Sequence, residues 1–167
     1  MTTDGSRDRA RFASVDALLD DARSRLSRLT PDEAHQAMSD GARVVEIRPA
    51  WQRAVTGEIP GALVVERNHL EWRLDPTSGS RVAHAADGQR WVVVCAEGYM
   101  SSLAADALNS IGVPATDMIG GFEAWSTDGL PSVQADPTAL NTVVPGEAAD
   151  ALNTNPTAGG PTPRPAY

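Results

Sequence analysis

Four short apolar runs, separated by segments with helical periodicity, constrain the fold of this chain more than any other feature. They are RVVEI (43–47), ALVVE (62–66), WVVVC (91–95) and ATDMI (115–119). Runs of this length are too short for isolated helices and are typical of buried strands. Because strands that alternate with helices form parallel sheets, the sequence predicts an α/β domain. Its mostly parallel central sheet has about five strands, with helices on both faces.

Two helical patterns precede the first strand. Apolar residues recur at helical spacing from Ser14 to Leu29, and Ser14 is a suitable N-cap. Thr30 and Glu33 then have the spacing of a capping box, with a proline at the first helical position. We predict an N-terminal helical lead-in over residues 1–28 and a domain over residues 29–134. The apolar stripe of the lead-in indicates that it packs against something, which the sequence does not identify.

The composition changes near residue 135. Residues 135–167 are rich in Pro, Thr, Ala and Gly and contain few large apolar side chains. Such a segment cannot bury enough apolar surface to offset the entropy lost on ordering, so we predict a disordered tail.

The overall charge limits the classes of partner. The formal net charge is -8 and the pI is about 4.7, which disfavours nucleic acid and anionic membrane surfaces as partners. No apolar run approaches the roughly 20 residues of a membrane helix, and the first residues lack the apolar core of a secretory signal. These features predict a cytoplasmic protein.

Any covalent chemistry centres on one sulfur, because Cys95 is the only cysteine. A single cysteine excludes an intramolecular disulfide, a CxxC redox pair and a thiolate-rich zinc site. The three histidines share no metal-ligand spacing, and no nucleotide-binding or GxSxG pattern is present. The sequence therefore predicts neither a metal nor a cofactor.

The position of Cys95 favours a reactive thiol. It ends the most apolar strand, at the sheet edge where ligands gather, and five residues separate it from Ser101. Gly98 can adopt a positive φ in this short loop, and Ser101 or Ser102 can cap the following helix. Backbone N–H groups then converge over the sulfur as an anion-binding nest, which favours the thiolate. A buried structural cysteine remains the alternative, since free cysteine is among the most buried residue types.

Three segments resemble, in order, the signatures of the rhodanese family. VVEIRPAWQRAVTGEIPGA is similar to the first signature, in which a strand ending in Asp-x-Arg precedes a short helix and His-Ile-Pro-Gly-Ala. VVVCAEGYMSSLAADALNSIG resembles the active-site strand, loop and helix, and MIGGFEAWSTDGLP resembles the closing Gly-Gly-x-x-x-Trp signature. The resemblance extends from residue 40 to residue 132.

The resemblance implies a sulfurtransferase without metal or cofactor. Its cysteine takes sulfane sulfur from a donor such as thiosulfate, holds it as a persulfide and passes it to cyanide or a thiol. Cys95 then becomes the catalytic nucleophile. Because the chain has no second cysteine, an external thiol or a partner protein must accept the sulfur. The implied substrate-binding residues are Ala96, Glu97, Gly98, Tyr99, Met100, Ser101 and Arg48.

Four positions depart from the family pattern. Met100 stands where many members carry arginine, Glu97 adds negative charge beside the loop, and Glu46 and Glu58 replace the Asp and His of the first signature. We expect Glu97 to face outward and Glu46 to form a structural ion pair with Arg48. Several arginines are candidates to replace the missing loop cation: Arg48, Arg53, Arg67 and Arg73. The four tryptophans, at 51, 72, 91 and 125, are expected to be packing residues rather than a recognition surface.

Two further functions stay open. A rhodanese-like binding or regulatory module keeps the loop for its shape while the chemistry is weak or absent. A phosphatase is disfavoured, because the related phosphatases have a loop one residue longer that ends in an arginine.

Overall fold

A parallel sheet forms the centre of the computed structural model, which describes residues 10–145. Its strands are β1 (Arg43–Glu46), β2 (Leu63–Val64), β3 (Trp91–Val94) and β4 (Ala115–Asp117). The order is β2-β1-β3-β4, and every neighbouring pair is parallel. Single bridges extend both edges, with Leu29 beside β4 and Val143 beside β2. The predicted α/β architecture with a parallel sheet and surrounding helices is confirmed.

Within residues 10–145, six α-helices surround the sheet: α1 (Val15–Arg23), α2 (Pro31–Ser39), α3 (Ala50–Thr56), α4 (Leu70–Leu74), α5 (Met100–Ser110) and α6 (Gly121–Thr127). A 3-10 helix (Arg67–His69) leads into α4. Ser14 caps α1, and Thr30 and Glu33 form the predicted capping box of α2. In the described part of the chain, no helix has the length and apolar character needed to cross a membrane.

Side chains along β3 point alternately to the two faces of the sheet, and the interior is thereby divided into two apolar layers. Trp91 and Val93 pack with residues of α4 and α5, whereas Val92 and Val94 pack on the opposite face with residues of α2 and α6. Cys95 continues the first set and lies in the same cluster as the α5 residues. The alternation of the strand therefore directs the sulfur towards the first turn of α5.

The N-terminal lead-in packs on the domain. Leu19 and Ala22 of α1 are buried, and the helix lies against α5. The helix ends at Arg23, earlier than the predicted limit of Leu29, because the chain turns through residues 24–27. Leu29 then pairs with the end of β4. Residues 1–9 of the predicted lead-in lie outside the described residues.

The first part of the predicted tail is ordered, which corrects the boundary placed at residue 135. Asn141, Thr142 and Val144 exchange backbone hydrogen bonds with Ala62 and Val64, and Val143 and Val144 are buried. The free edge of β2 needs partners for its backbone groups, and two adjacent valines fill the space on both sides of it. Composition averaged over the whole segment concealed this short run. Residues 146–167 of the predicted tail lie outside the described residues.

Replacing Val143 and Val144 together with alanine is expected to lower the free energy of unfolding by about 2–4 kcal/mol, because both methyl pairs are buried. Urea denaturation measures this loss. Leu140→Ala is the matched control, since Leu140 is 41% exposed. An unchanged midpoint in the double variant would show that the packing of residues 141–144 contributes nothing to stability.

Candidate active site

The loop after β3 surrounds the sulfur of Cys95 with backbone donors. The N–H groups of Gly98 and Ser101 point at Sγ, at 3.2 and 3.4 Å. Of the predicted cradle residues, these two contact the sulfur directly. The N–H groups of Ala96, Glu97, Tyr99 and Met100 donate to no residue within 10–145. The loop therefore directs two donors to the sulfur and has four further N–H groups with no acceptor in the described part of the chain.

Gly98 is required by the tight course of the loop. Its φ is +83°, as the sequence predicted. A Cβ atom there would lie 2.8 Å from the nitrogen of Gly120 and 3.1 Å from the carbonyl oxygen of Met118. Any side chain would therefore displace the backbone that carries the Gly98 N–H to the sulfur.

The turn before α6 holds the other side of the loop. The N–H of Phe122 donates to the carbonyl oxygen of Cys95 at 2.8 Å, and that of Glu123 donates to Ala96 at 3.0 Å. A Cβ at Gly121 would lie 2.5 Å from the Cys95 oxygen, so this close approach needs glycine. These bonds occupy the two carbonyl oxygens next to the sulfur.

The serines at the start of α5 do not cap the helix, which corrects the sequence prediction. Tyr99 is the N-cap and makes no side-chain cap bond. Instead Ser101 and Ser102 donate to Asp117 Oδ2, at 2.9 and 2.7 Å. Asp117 is fully buried, and a buried carboxylate is costly unless its oxygens accept hydrogen bonds. The serine hydroxyls therefore bond to Asp117 and not to the first N–H groups of the helix.

Ser101 joins Asp117 to the cysteine. The Cys95 thiol donates to Ser101 Oγ at 3.3 Å, and the Ser101 hydroxyl donates onward to Asp117. Sequence reasoning missed Asp117. Its position at the carboxyl end of β4, next to the end of β3, was the available signal, since ends of parallel strands meet at one edge.

Two arginines of the N-terminal segment reach the back of the loop. Arg28 binds both carboxylate oxygens of Asp117, at 2.8 and 3.1 Å, and donates to the Gly98 carbonyl oxygen at 3.0 Å. Arg23 donates to the same oxygen at 2.8 Å. Neither was predicted, because both fall within the segment taken from the sequence as one continuous helix ending at Leu29.

Three of the arginines named from the sequence form their contacts away from the loop. Arg53 is fully buried and pairs with Glu58, Arg67 pairs with Glu71, and Arg73 donates to the carbonyl oxygen of Ser80. None of these three forms a hydrogen bond to residues 95–101 of the loop.

Arg48 forms the predicted ion pair with Glu46, with both bonds at 2.7 Å. Its guanidinium lies over the ring of Phe122, 3.8 Å from the centroid. Complete burial raises the pKa of Glu46, and the hydrogen bonds from Arg48 oppose this shift. Arg48 reaches the groove beside the loop with its charge already balanced by a carboxylate.

A groove of about 450 Å³ runs from the loop between α3 and α6. Two of the tryptophans expected to be packing residues are exposed. One of them, Trp51, lines this groove with 69% of its surface exposed, beside Val55 at 81%. The other is Trp72, at 63%. Glu97 and Glu123 are exposed on the wall of the groove, so Glu97 faces outward as predicted.

Known structures share this architecture. The chain is 31% identical to a protein of unknown function from Rhodopseudomonas palustris, described as a possible tyrosine phosphatase, with a TM-score of 0.67 over 72% of this chain and 94% of that one. A rhodanese-related protein from Thermoplasma volcanium is 18% identical, with a TM-score of 0.54 over 65% of this chain and 98% of that one. A thiosulfate sulfurtransferase from Pseudomonas aeruginosa is 24% identical, with a TM-score of 0.55 over 70% of this chain and 21% of that one.

The last two likenesses show the fold alone. A search of curated proteins found no match. The model of the rhodanese-like domain matches residues 30–128, which is more than half of the chain. The signatures around Cys95 and Gly120–Gly121 lie within that range. The chain therefore belongs to the rhodanese-like domain family.

Proposed function

We propose that the protein is a sulfurtransferase that moves sulfane sulfur from a donor such as thiosulfate to a thiol or cyanide through a persulfide on Cys95. The observation that supports this most directly is the convergence of the Gly98 and Ser101 N–H groups on Sγ. Such donors stabilise a sulfur anion, which is both the nucleophile and the product of the first step. Membership of the rhodanese-like family supports the same chemistry.

The first half-reaction loads the sulfur. The Cys95 thiolate attacks the outer sulfur of thiosulfate, the sulfur–sulfur bond of the donor breaks, and sulfite leaves with the bonding pair. The negative charge moves to the terminal sulfur of the Cys95 persulfide. The N–H groups of Ala96, Glu97, Tyr99 and Met100, which have no acceptor among residues 10–145, are the donors proposed to bind the sulfonate and then the persulfide.

The second half-reaction returns the enzyme to its starting state. A thiolate or cyanide attacks the terminal sulfur, the bond to Sγ breaks, and the Cys95 thiolate is regenerated. The products are an acceptor persulfide or thiocyanate, respectively. Because Cys95 is the only cysteine, an external acceptor must collect the sulfur. A reducing compartment such as the cytoplasm, where we propose that the protein acts, keeps thiol acceptors in the reduced state.

The groove suggests what kind of acceptor approaches. Trp51 and Val55 offer apolar contact, while Glu97 and Glu123 place negative charge on the same wall and form no ion pair within the described part of the chain. We propose that the acceptor is the thiol of a cationic polypeptide segment. Arg48 contributes little positive charge there, because Glu46 neutralises it.

A binding or regulatory module is the second candidate. It is favoured by Met100 at the position where many family members carry arginine, and by the limited exposure of Cys95, which is 8%. For a phosphatase, the support is the description of the Rhodopseudomonas palustris protein. The loop length and Met100 argue against phosphoryl chemistry at Cys95.

Incubating the reduced protein with thiosulfate is expected to add the mass of one sulfur atom, and cyanide is expected to remove it again. Intact-mass spectrometry measures both steps. Cys95→Ser is the control and should gain nothing. If the wild-type chain takes up no sulfur from thiosulfate or from a low-molecular-weight persulfide, the sulfurtransferase proposal is wrong and the binding module is favoured.

Gly98→Ala is expected to slow persulfide formation by about 10- to 100-fold, because the added Cβ displaces the N–H that faces the sulfur. Stopped-flow or quenched mass spectrometry measures the rate. Gly112→Ala is a matched control: its φ is +82°, close to that of Gly98, but a Cβ there meets nothing within 4 Å. Equal slowing in the two variants would show that the effect comes from general backbone strain.

The acceptor charge preference is testable with short cysteine peptides. The persulfidated protein is expected to transfer sulfur to a peptide with flanking arginines about two- to fivefold faster than to one with flanking glutamates, as expected for screened surface charges. Glu97→Gln combined with Glu123→Gln should remove the preference. A preference that survives this double change would place the acceptor elsewhere.

A further inference from the structure

The backbone N–H and the carbonyl of Gly98, which belong to two successive peptide units, have different partners. The N–H faces the sulfur, and the carbonyl oxygen accepts bonds from Arg23 and Arg28, at 2.8 and 3.0 Å. Because the described peptide bonds are trans, the N–H of Tyr99 points opposite to the Gly98 carbonyl and away from both arginines. The arginines thereby fix the direction of the Tyr99 N–H, which is one of the loop donors proposed to bind the anion.

The two arginines differ in net charge. Arg28 is paired with the buried carboxylate of Asp117. Arg23 forms no ion pair within residues 10–145; its other contacts are Ser102 Oγ at 3.2 Å and the ring of Tyr99, 5.4 Å from the centroid. Arg23 therefore brings an uncompensated positive charge into hydrogen-bond contact with the loop.

None of the arginines named from the sequence brings such a charge to the loop. Arg48, Arg53 and Arg67 are paired with carboxylates, and Arg73 contacts the carbonyl oxygen of Ser80 outside the loop. At the loop position where family members often carry arginine, Met100 is apolar and 46% exposed.

We propose that Arg23 and Arg28 are positioning residues of the Cys95 loop, and that Arg23 supplies from the N-terminal segment the positive charge that the loop itself lacks. Arg28 orients the Gly98 carbonyl and holds Asp117, which in turn holds the Ser101 hydroxyl beside the sulfur. The N-terminal segment thus contributes two residues, Arg23 and Arg28, to the anion site. The inference deepens the proposed function, since the anion is the sulfur donor, but its main test does not require sulfur transfer.

The test compares alkylation of Cys95 by iodoacetate, an anion, with alkylation by neutral iodoacetamide. The two reagents attack the same thiolate, so changes in thiolate population or general access largely cancel in the ratio of their rates. Arg23→Gln retains hydrogen-bond donors but removes the charge, and should lower the iodoacetate/iodoacetamide ratio by about three- to tenfold. Arg23→Lys retains the charge and should restore most of the ratio.

Arg25→Gln is the matched control. Arg25 bridges Asp21 of α1 to Asp106 of α5 with bonds of 2.8 Å, so it fastens the same segment without contacting the loop. Its ratio should equal that of the wild-type protein. An equal fall in Arg25→Gln would trace the effect to docking of α1 and overturn the proposal. An unchanged ratio in Arg23→Gln, or a wild-type Cys95 that iodoacetate does not modify, would overturn it as well.

Two measurements complete the test. In the wild-type protein, which needs no substitution to fold, the ratio should fall towards that of Arg23→Gln when the ionic strength rises from about 0.01 to about 0.5 M. With thiosulfate, Arg23→Gln should raise KM by about three- to tenfold more than it lowers kcat, since the charge binds the donor anion. A salt-independent ratio contradicts the proposal. If the protein shows the expected alkylation ratios but takes up no sulfur, the anion site is supported and the sulfurtransferase proposal is wrong.

Discussion

The backbone conformation of a single residue, Gly98, determines most of what the loop can do. Its N–H must face the sulfur and its carbonyl must face the arginines, and a positive φ at Gly98 is what allows both. The surrounding contacts leave no room for a side chain, with the Gly120 nitrogen 2.8 Å from the position of a Cβ. Glycine is required at positions 120 and 121 for the same reason, because only a tight turn after β4 can approach the loop so closely.

The buried charge at the base of the site is stabilised by the elements that it joins. Asp117 is fully buried and accepts hydrogen bonds from both serines of α5 and from Arg28. A carboxylate in such a place is costly unless every lone pair is satisfied. Since its donors come from α5 and from the segment after α1, satisfying Asp117 docks the N-terminal segment and orients Ser101 at the same time. One ionised group thus links the lead-in to the sulfur.

Sequence patterns predicted the features that depend on neighbouring residues. They missed the features that depend on residues far apart in the chain. The apolar runs predicted the strands, and the short loop with Gly98 predicted donors over Cys95 because both follow from backbone geometry within a few residues. Arg23, Arg28 and Asp117 are brought together by tertiary packing across some 90 residues, and nothing in their own neighbourhoods marks them. Val143 and Val144 were missed for a related reason: they matter because β2 has a free edge, a fact visible only once the strand order is known.

The charges around Cys95 differ between the two sides of its loop, and this bears on the two-step transfer that we propose. Guanidinium groups lie behind the loop at Gly98, while carboxylates of Glu97 and Glu123 lie on the groove in front of it. Positive charge behind the cradle favours an anion bound close to the backbone donors, where it is partly shielded from the carboxylates. Negative charge on the open groove instead favours a larger cationic partner that does not enter the cradle. In the proposed mechanism, a small anionic donor and a cationic acceptor use the same sulfur in turn, because each is attracted by charges on a different side of the loop.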